Sequence, residues 1–163
     1  MTSQVNSTPA DELDARRLPI AGTGKSSRYH YALLLGLKVK EASELLKRVK
    51  QGLAFSSWEK FLRNTDLQKE DAVRLVQITP RTLSRRKEEG RLHAHESDRL
   101  LRAARMFALA CDLFEGDSES ARRWLTASQP GLGGATPIEY ATTEVGAREV
   151  EALIGRLEHG IPS

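Results

Sequence analysis

The stretch from Leu67 to Gly90, LQKEDAVRLVQITPRTLSRRKEEG, constrains the fold more tightly than any other part of this chain. Ala72, Val73, Leu75 and Val76 mark one short helix, and a second opens at Thr79. Threonine is a good N-cap because its hydroxyl accepts from a first-turn amide, and Pro80 suits the first helical position, where a missing N–H costs nothing. Two short helices with a turn of about three residues between them make a helix-turn-helix. At about 100° per residue, Leu83 points inward with Leu75 and Ile78, while Arg81 and Arg85 fall on the opposite face, flanked by Thr82, Ser84 and Glu88. A recognition helix needs such a face: arginine forks bond guanine edges, and short hydroxyls reach phosphates or other bases. A solvated basic face on a structural helix pair would look similar, and Glu88 and Glu89 dilute the patch.

The remaining periodicity is helical throughout. Leu34, Leu37, Ala42, Leu45, Leu46, Val49 and Leu53 recur at mostly helical spacing, with Gly36 as a break and Gly52 as a stop, which reads as a packing or dimerisation helix. Ser56 or Ser57 is placed to cap a helix from Trp58 to Asn64 that carries Trp58, Phe61 and Leu62 on one stripe. Leu100, Leu101, Ala104, Phe107, Ala108, Cys111 and Phe114 form a long core-facing stripe, and DSESARRWLTAS reads as a further capped helix with Trp124 and Leu125 buried. In SQPGLGGATP the glycines permit a tight turn, and Thr136-Pro137 repeats the threonine-cap, proline-first grammar. A last helix from about Thr143 carries Ala147, Val150, Leu153, Ile154 and Leu157, and Gly160 closes it. No alternating pattern of any length occurs, so the expected fold is all-α.

Composition narrows the function classes. No apolar run among the 163 residues approaches the roughly 20 that a membrane span needs, and the start lacks a secretory signal, which points to the cytoplasm. The single cysteine, Cys111, lies in an apolar context with no base nearby and reads as a buried small hydrophobe. PIAGTGKSS imitates a phosphate-binding loop, yet Pro19 stands where that pattern needs glycine and no strand precedes it. PGLGGATP has no lysine and no strand either, and Pro137 removes a donor that an anion would use. His93 and His95, two apart, would face opposite sides of a helix and make a poor metal pair. No nucleophile, base or ligand constellation is apparent, so no enzyme, cofactor or metal is expected.

Charge is unevenly spread. Residues 1–59 carry net +3, residues 60–105 net +5 and residues 106–163 net −5. A basic middle before an acidic last third suggests two surfaces for two kinds of partner. The sequence divides into a disordered tail over 1–28, an N-terminal helical segment over 29–53, a helix-turn-helix region over 54–105 and a C-terminal unit over 106–163.

The order of these elements resembles the Xre/MbcA/ParS antitoxins over about residues 31–163, most strongly from Leu83 onward. The family's T-L-x-R-R falls on Thr82, Leu83, Arg85 and Arg86, and its Trp-Leu on Trp124 and Leu125. Its loop hallmark falls on Pro130, Gly131, Leu132, Gly133, Gly134, Thr136 and Pro137. Its closing pattern falls on Gly146, Val150, Leu153, Arg156 and Gly160. One departure is Gln77, where a small residue or glycine is common; a positive φ would strain glutamine, so either a differently shaped turn or less strict DNA binding is expected.

The resemblance implies an Xre-like helix-turn-helix bundle followed by a small helical toxin-binding domain. Such a protein neutralises a RES-domain toxin, one that destroys NAD or uses it for ADP-ribosylation, and represses its own operon as a homodimer on operator DNA. The implied DNA contacts are Arg81, Thr82, Ser84, Arg85 and Arg86. The implied toxin contacts are Val150, Leu153, Arg156, Leu157, Glu158, His159 and Gly160. The terminal stripe can lie in a partner's groove while the tip enters a cleft, or it can close its own domain core; one stripe cannot easily do both. The competing function is a stand-alone transcriptional regulator whose C-terminal domain serves only dimerisation.

Overall fold

The computed structural model describes residues 28–161. The tail expected over 1–28 lies outside the described residues except for Arg28, as do the loop imitation at Pro19–Ser26 and the last two residues, Pro162 and Ser163. A 3₁₀ turn at His30–Leu35 is followed by α1 (Ala42–Gln51), α2 (Phe55–Thr65), α3 (Lys69–Val76), α4 (Pro80–Glu89), α5 (Ala94–Leu113) and α6 (Ser118–Thr126). A second 3₁₀ turn at Pro130–Leu132 leads into α7 (Pro137–Tyr140) and α8 (Glu144–Glu158). The fold is all-α: the described residues contain no strand, and an isolated bridge pairs Ala54 with Arg91.

The caps explain where the helices begin. Thr79 Oγ1 accepts from the Thr82 amide at 3.1 Å with Pro80 in the first turn, and Thr143 Oγ1 accepts from the Gly146 amide at 3.0 Å. At α7 the cap is reciprocal: Thr136 Oγ1 accepts from the Glu139 amide while the Glu139 carboxylate accepts from the Thr136 amide, both at 3.2 Å. In the loop before it Gly133 and Gly134 both take positive φ, 65° and 90°, a sequence of conformations that side chains resist.

α5 is the axis of the molecule. Its 20 residues pack against α1, α3, α6, α8 and the first 3₁₀ turn, and Leu100, Ala104, Phe107, Ala110 and Cys111 are fully buried along it. One continuous core joins Phe61 and Leu83 from the helix-turn-helix to Leu125, Ile138, Leu153 and Ile154 from the C-terminal helices. At the last of these junctions α8 approaches the end of α7 so closely that a Cβ on Gly146 would lie 1.7 Å from the Tyr140 carbonyl oxygen.

Several local expectations are corrected. α2 begins at Phe55 rather than after a serine cap; Ser56 and Ser57 lie inside its first turn. Its start is fixed by tertiary bonds instead, since the Phe55 amide donates to Gly90 O at 3.0 Å and the Leu92 amide to Leu53 O at 2.8 Å. Leu46 leaves the α1 core stripe, being 54% exposed. Trp124 is half-buried, whereas Leu125 is buried.

The charge asymmetry is partly neutralised within the chain. Arginines of the basic middle meet acids of the last third: Arg74 pairs with Glu139 at 3.7 Å, Arg105 with Glu151 at 2.7 Å, and Arg102 with Glu144. Hydrogen bonds from Arg148 and Arg102 hold the Glu144 carboxyl below its ordinary range. These acids brace α7 and α8 against α3 and α5, so the acidity of the last third is no simple sign of a basic partner.

Candidate functional site

Two exposed regions at different places on this bundle carry the sequence-predicted residues. The first is α4 with the turn that aims it. α3 ends in a Schellman motif, the Gln77 amide donating to Arg74 O at 3.3 Å and the Ile78 amide to Val73 O at 3.2 Å. Gln77 itself holds the left-handed position at φ 56°, ψ 48°, and its Nε2 donates to Arg74 O at 2.6 Å. The turn therefore keeps the geometry that usually takes glycine, and the expectation of a different shape does not hold. Ile78 and Leu83 are buried, which fixes the roll of α4 about its axis.

That roll exposes Arg81, Ser84 and Arg85 and half-buries Thr82. Neither Arg81 nor Arg85 meets a carboxylate among the described residues, so both guanidinium groups stay available. Ser84 Oγ donates to Pro80 O at 3.2 Å, and Thr82 Oγ1 accepts from Thr79 Oγ1 at 3.0 Å, which ties both hydroxyls to the helix start.

Arg86 is a correction to the set. It is 6% exposed, three residues after Leu83 and so on the inner face. Its Nε and Nη2 donate to the Glu96 carboxylate, Nη1 donates to Glu89 Oε1 at 3.2 Å, and Nη2 donates to His93 Nδ1 at 3.1 Å. A guanidinium with these bonds already made has no face to offer a base; Arg86 anchors α4 to α5.

The second region is the end of α8. Val150 and Leu153 are buried, so their assignment to a partner surface is corrected: with Ala147 and Ile154 they close the domain's own core. The exposed part begins at the last turn. Arg156 is half-buried, while Leu157 at 38%, Glu158, His159 and Gly160 are exposed. Gly160 N–H donates to Leu157 O at 3.2 Å and Ile161 N–H to Arg156 O at 2.9 Å, a Schellman motif that holds the tip in one shape. His159 Nδ1 lies 2.7 Å from Gly155 O. Ile161, which is not among the expected toxin contacts, is 53% exposed and adds an apolar group to the tip; its signal is its place directly after the closing glycine.

Beside this tip lies a half-buried carboxylate. Asp112, near the end of α5, is pushed up by burial, drawn down by His30 at 4.0 Å and pushed up again by Glu158. The tip thus stands where α5, α8 and the first 3₁₀ turn meet. No cluster of histidine, cysteine and acidic side chains among the described residues could hold a metal ion, and no described helix is long and apolar enough to cross a membrane.

Comparison with known proteins bears on both regions. Residues 44–105 match the family model described as the antitoxin Xre-like helix-turn-helix domain, and residues 109–160 match the model described as the antitoxin Xre/MbcA/ParS C-terminal toxin-binding domain. The boundary between the two matches falls inside α5. The chain is similar to a protein named Antitoxin Xre from Yersinia enterocolitica serotype O:8 / biotype 1B, 35% identical over 128 residues that cover 78% of this chain and 86% of that protein. It is also similar to the Antitoxin Xre of Photorhabdus laumondii subsp. laumondii, 40% identical over 114 residues, covering 69% of this chain and 77% of the relative.

Proposed function

Because the chain belongs to the Xre/MbcA/ParS family of antitoxins, we propose that it binds and silences a RES-domain, NAD-consuming toxin with its C-terminal tip, and binds operator DNA through α4 to repress its own operon. The observation that carries this reading is the separation of two unused surfaces: unpaired Arg81 and Arg85 on α4, and exposed Leu157 and Ile161 beside Glu158 and His159 at the end of α8.

Each surface suits its task. An arginine free of carboxylates can bond guanine O6 and N7 with both arms of its fork, and the fixed start of α4 sets the register of those contacts. A homodimer would present two such helices to two half-sites. At the other surface, the core face of α8 is already covered by its own domain, so a toxin would meet only the last turn. Leu157 and Ile161 would seat in an apolar rim, and Glu158 and His159 would occupy polar positions where NAD must enter. Inhibition of this kind is occlusion, requires no cofactor of the antitoxin, and belongs in the cytoplasm with its toxin and its operator.

Two assays test the reading together. Tagged chain is expected to co-purify with the RES-domain toxin of its operon, and to shift the upstream promoter DNA in a salt-dependent manner. Arg81→Ala with Arg85→Ala is expected to weaken the shift by roughly 1–3 kcal/mol per lost bidentate contact while leaving co-purification intact. DNA binding without toxin binding would favour the stand-alone regulator; an unchanged shift by the double variant would remove α4 as the reader.

A further inference from the structure

On the side of the bundle where α4 ends, a hollow of about 280 Å³ opens between the first 3₁₀ turn, the end of α1 and the start of α2. Its walls carry Arg48, Lys60 and Arg91 and no carboxylate. Arg48 is paired with Glu44 at 2.8 Å, but Lys60 has no ion-pair partner among the described residues, and Arg91 donates only to the neutral Gln51 carbonyl at 2.9 Å. The aliphatic chain of Lys60 lies in the space left by Gly36, where a Cβ would come 2.5 Å from Lys60 Cδ. The cation is thereby held at the hollow rather than spread over solvent.

The start of α2 faces the same space. Ala54 offers no side chain to cap this 11-residue helix, and of its first amides Phe55 donates to Gly90 O and Ser57 to Ala54 O, which leaves the Ser56 amide for an outside acceptor. Ser57 lines the hollow, is 4% exposed, and its hydroxyl has no partner among the described residues. The hydroxyl is therefore free to donate to an acceptor that enters the hollow.

We propose that this hollow binds a phosphate group, with Lys60 and Arg91 supplying charge and the Ser56 amide and Ser57 hydroxyl donating hydrogen bonds. The positive end of α2 adds to the attraction. The phosphate belongs either to a small phosphorylated molecule or to a nucleic-acid backbone passing the C-terminal end of α4. The site requires neither the toxin surface nor Arg81 and Arg85, so it stands or falls separately from them.

Amide resonances of the full-length ¹⁵N-labelled chain, titrated with sodium phosphate and with sodium chloride at matched ionic strength, test this directly. Phosphate is expected to move the Ser56 and Ser57 amides saturably and chloride is not. Lys60→Gln with Arg91→Gln, and separately Ser57→Ala, are expected to weaken the response about tenfold or more, the equivalent of one lost charge-assisted contact. If inorganic phosphate has no effect but a short non-operator duplex moves the same amides, and the double variant abolishes that shift, the phosphate is a backbone phosphate. The proposal is overturned if neither probe moves these amides beyond the chloride control, or if the double variant, unfolding at the wild-type temperature, responds like the wild type.

Discussion

Arg86 on α4 and Glu96 on α5 are joined by two parallel hydrogen bonds, Nε to Oε2 at 2.7 Å and Nη2 to Oε1 at 2.9 Å, inside the protein. The same carboxylate accepts from the His93 amide at 2.8 Å, so one acid both caps α5 and holds α4 to it. Breaking a buried pair from one side leaves the other charge without compensation, at a cost of about 3–5 kcal/mol. Arg86→Ala is therefore expected to lower the urea midpoint far more than Arg85→Ala, which should stay within about 0.5 kcal/mol of wild type as an exposed substitution. Equal, small effects would show that the pair does not anchor α4.

The pair also has a pH signature. Burial raises the Glu96 carboxyl, but the hydrogen bonds from Arg86 and the His93 amide outweigh it and hold the group below its ordinary value. A depressed folded pKa contributes stability that is complete above the unfolded glutamate value of about 4.3 and is lost as pH falls through the folded one. The unfolding free energy is expected to drop along that acid limb, and Glu96→Gln should lower stability at neutral pH while flattening the limb. The comparison is made by denaturant titrations at a series of pH values.

Two glycines of one helix are expected to respond in opposite directions. A methyl on Gly146 would run into the Tyr140 carbonyl, whereas nothing lies within 4 Å of one added to Gly155. Gly146→Ala should cost about 3 kcal/mol because backbone, not a flexible side chain, is in the way. Gly155→Ala should stabilise by about 0.5–1 kcal/mol through helix propensity and a less disordered unfolded chain. Thermal melts of the two variants read both signs.

How much of this could be read from the chain depended on whether the cause was local. Thr79-Pro80, Thr136-Pro137 and the burial of Leu83 follow from capping chemistry and a 3.6-residue period, which act within one turn. Arg86 was grouped with Arg85 because its family motif is contiguous, yet its position three residues after Leu83 already turned it inward. What the sequence could not supply was Glu96, ten residues away on another helix. The start of α2 was missed for a similar reason: no side chain caps it, and the bonds that fix it come from Gly90 and Leu92. Val150 and Leu153 were legible as a stripe, but periodicity does not say whether a stripe faces its own core or a partner's groove; here α5 takes it. Gln77 shows the remaining limit, since a residue disfavoured at positive φ is held there by its own side-chain bond and by the burial of Ile78.

Cys111 is expected to be chemically silent. Burial pushes its thiol up to about 12, so almost no thiolate forms in the folded state at neutral or mildly alkaline pH. An aromatic disulfide reagent at pH 8 should label it only at the rate of unfolding, and immediate labelling of native protein would contradict the packing described for α5.

The most direct measurement of the central claim is the NAD content of cells expressing the RES-domain toxin proposed as the partner, with either wild-type chain or the variant Leu157→Asp with Ile161→Asp. Both substituted residues are exposed and outside the core, so the variant should fold, as circular dichroism and its melting temperature would verify. Wild type is expected to preserve NAD and growth, and the folded variant to lose most of that protection while still shifting promoter DNA. Full protection by a folded variant would contradict inhibition through the tip of α8.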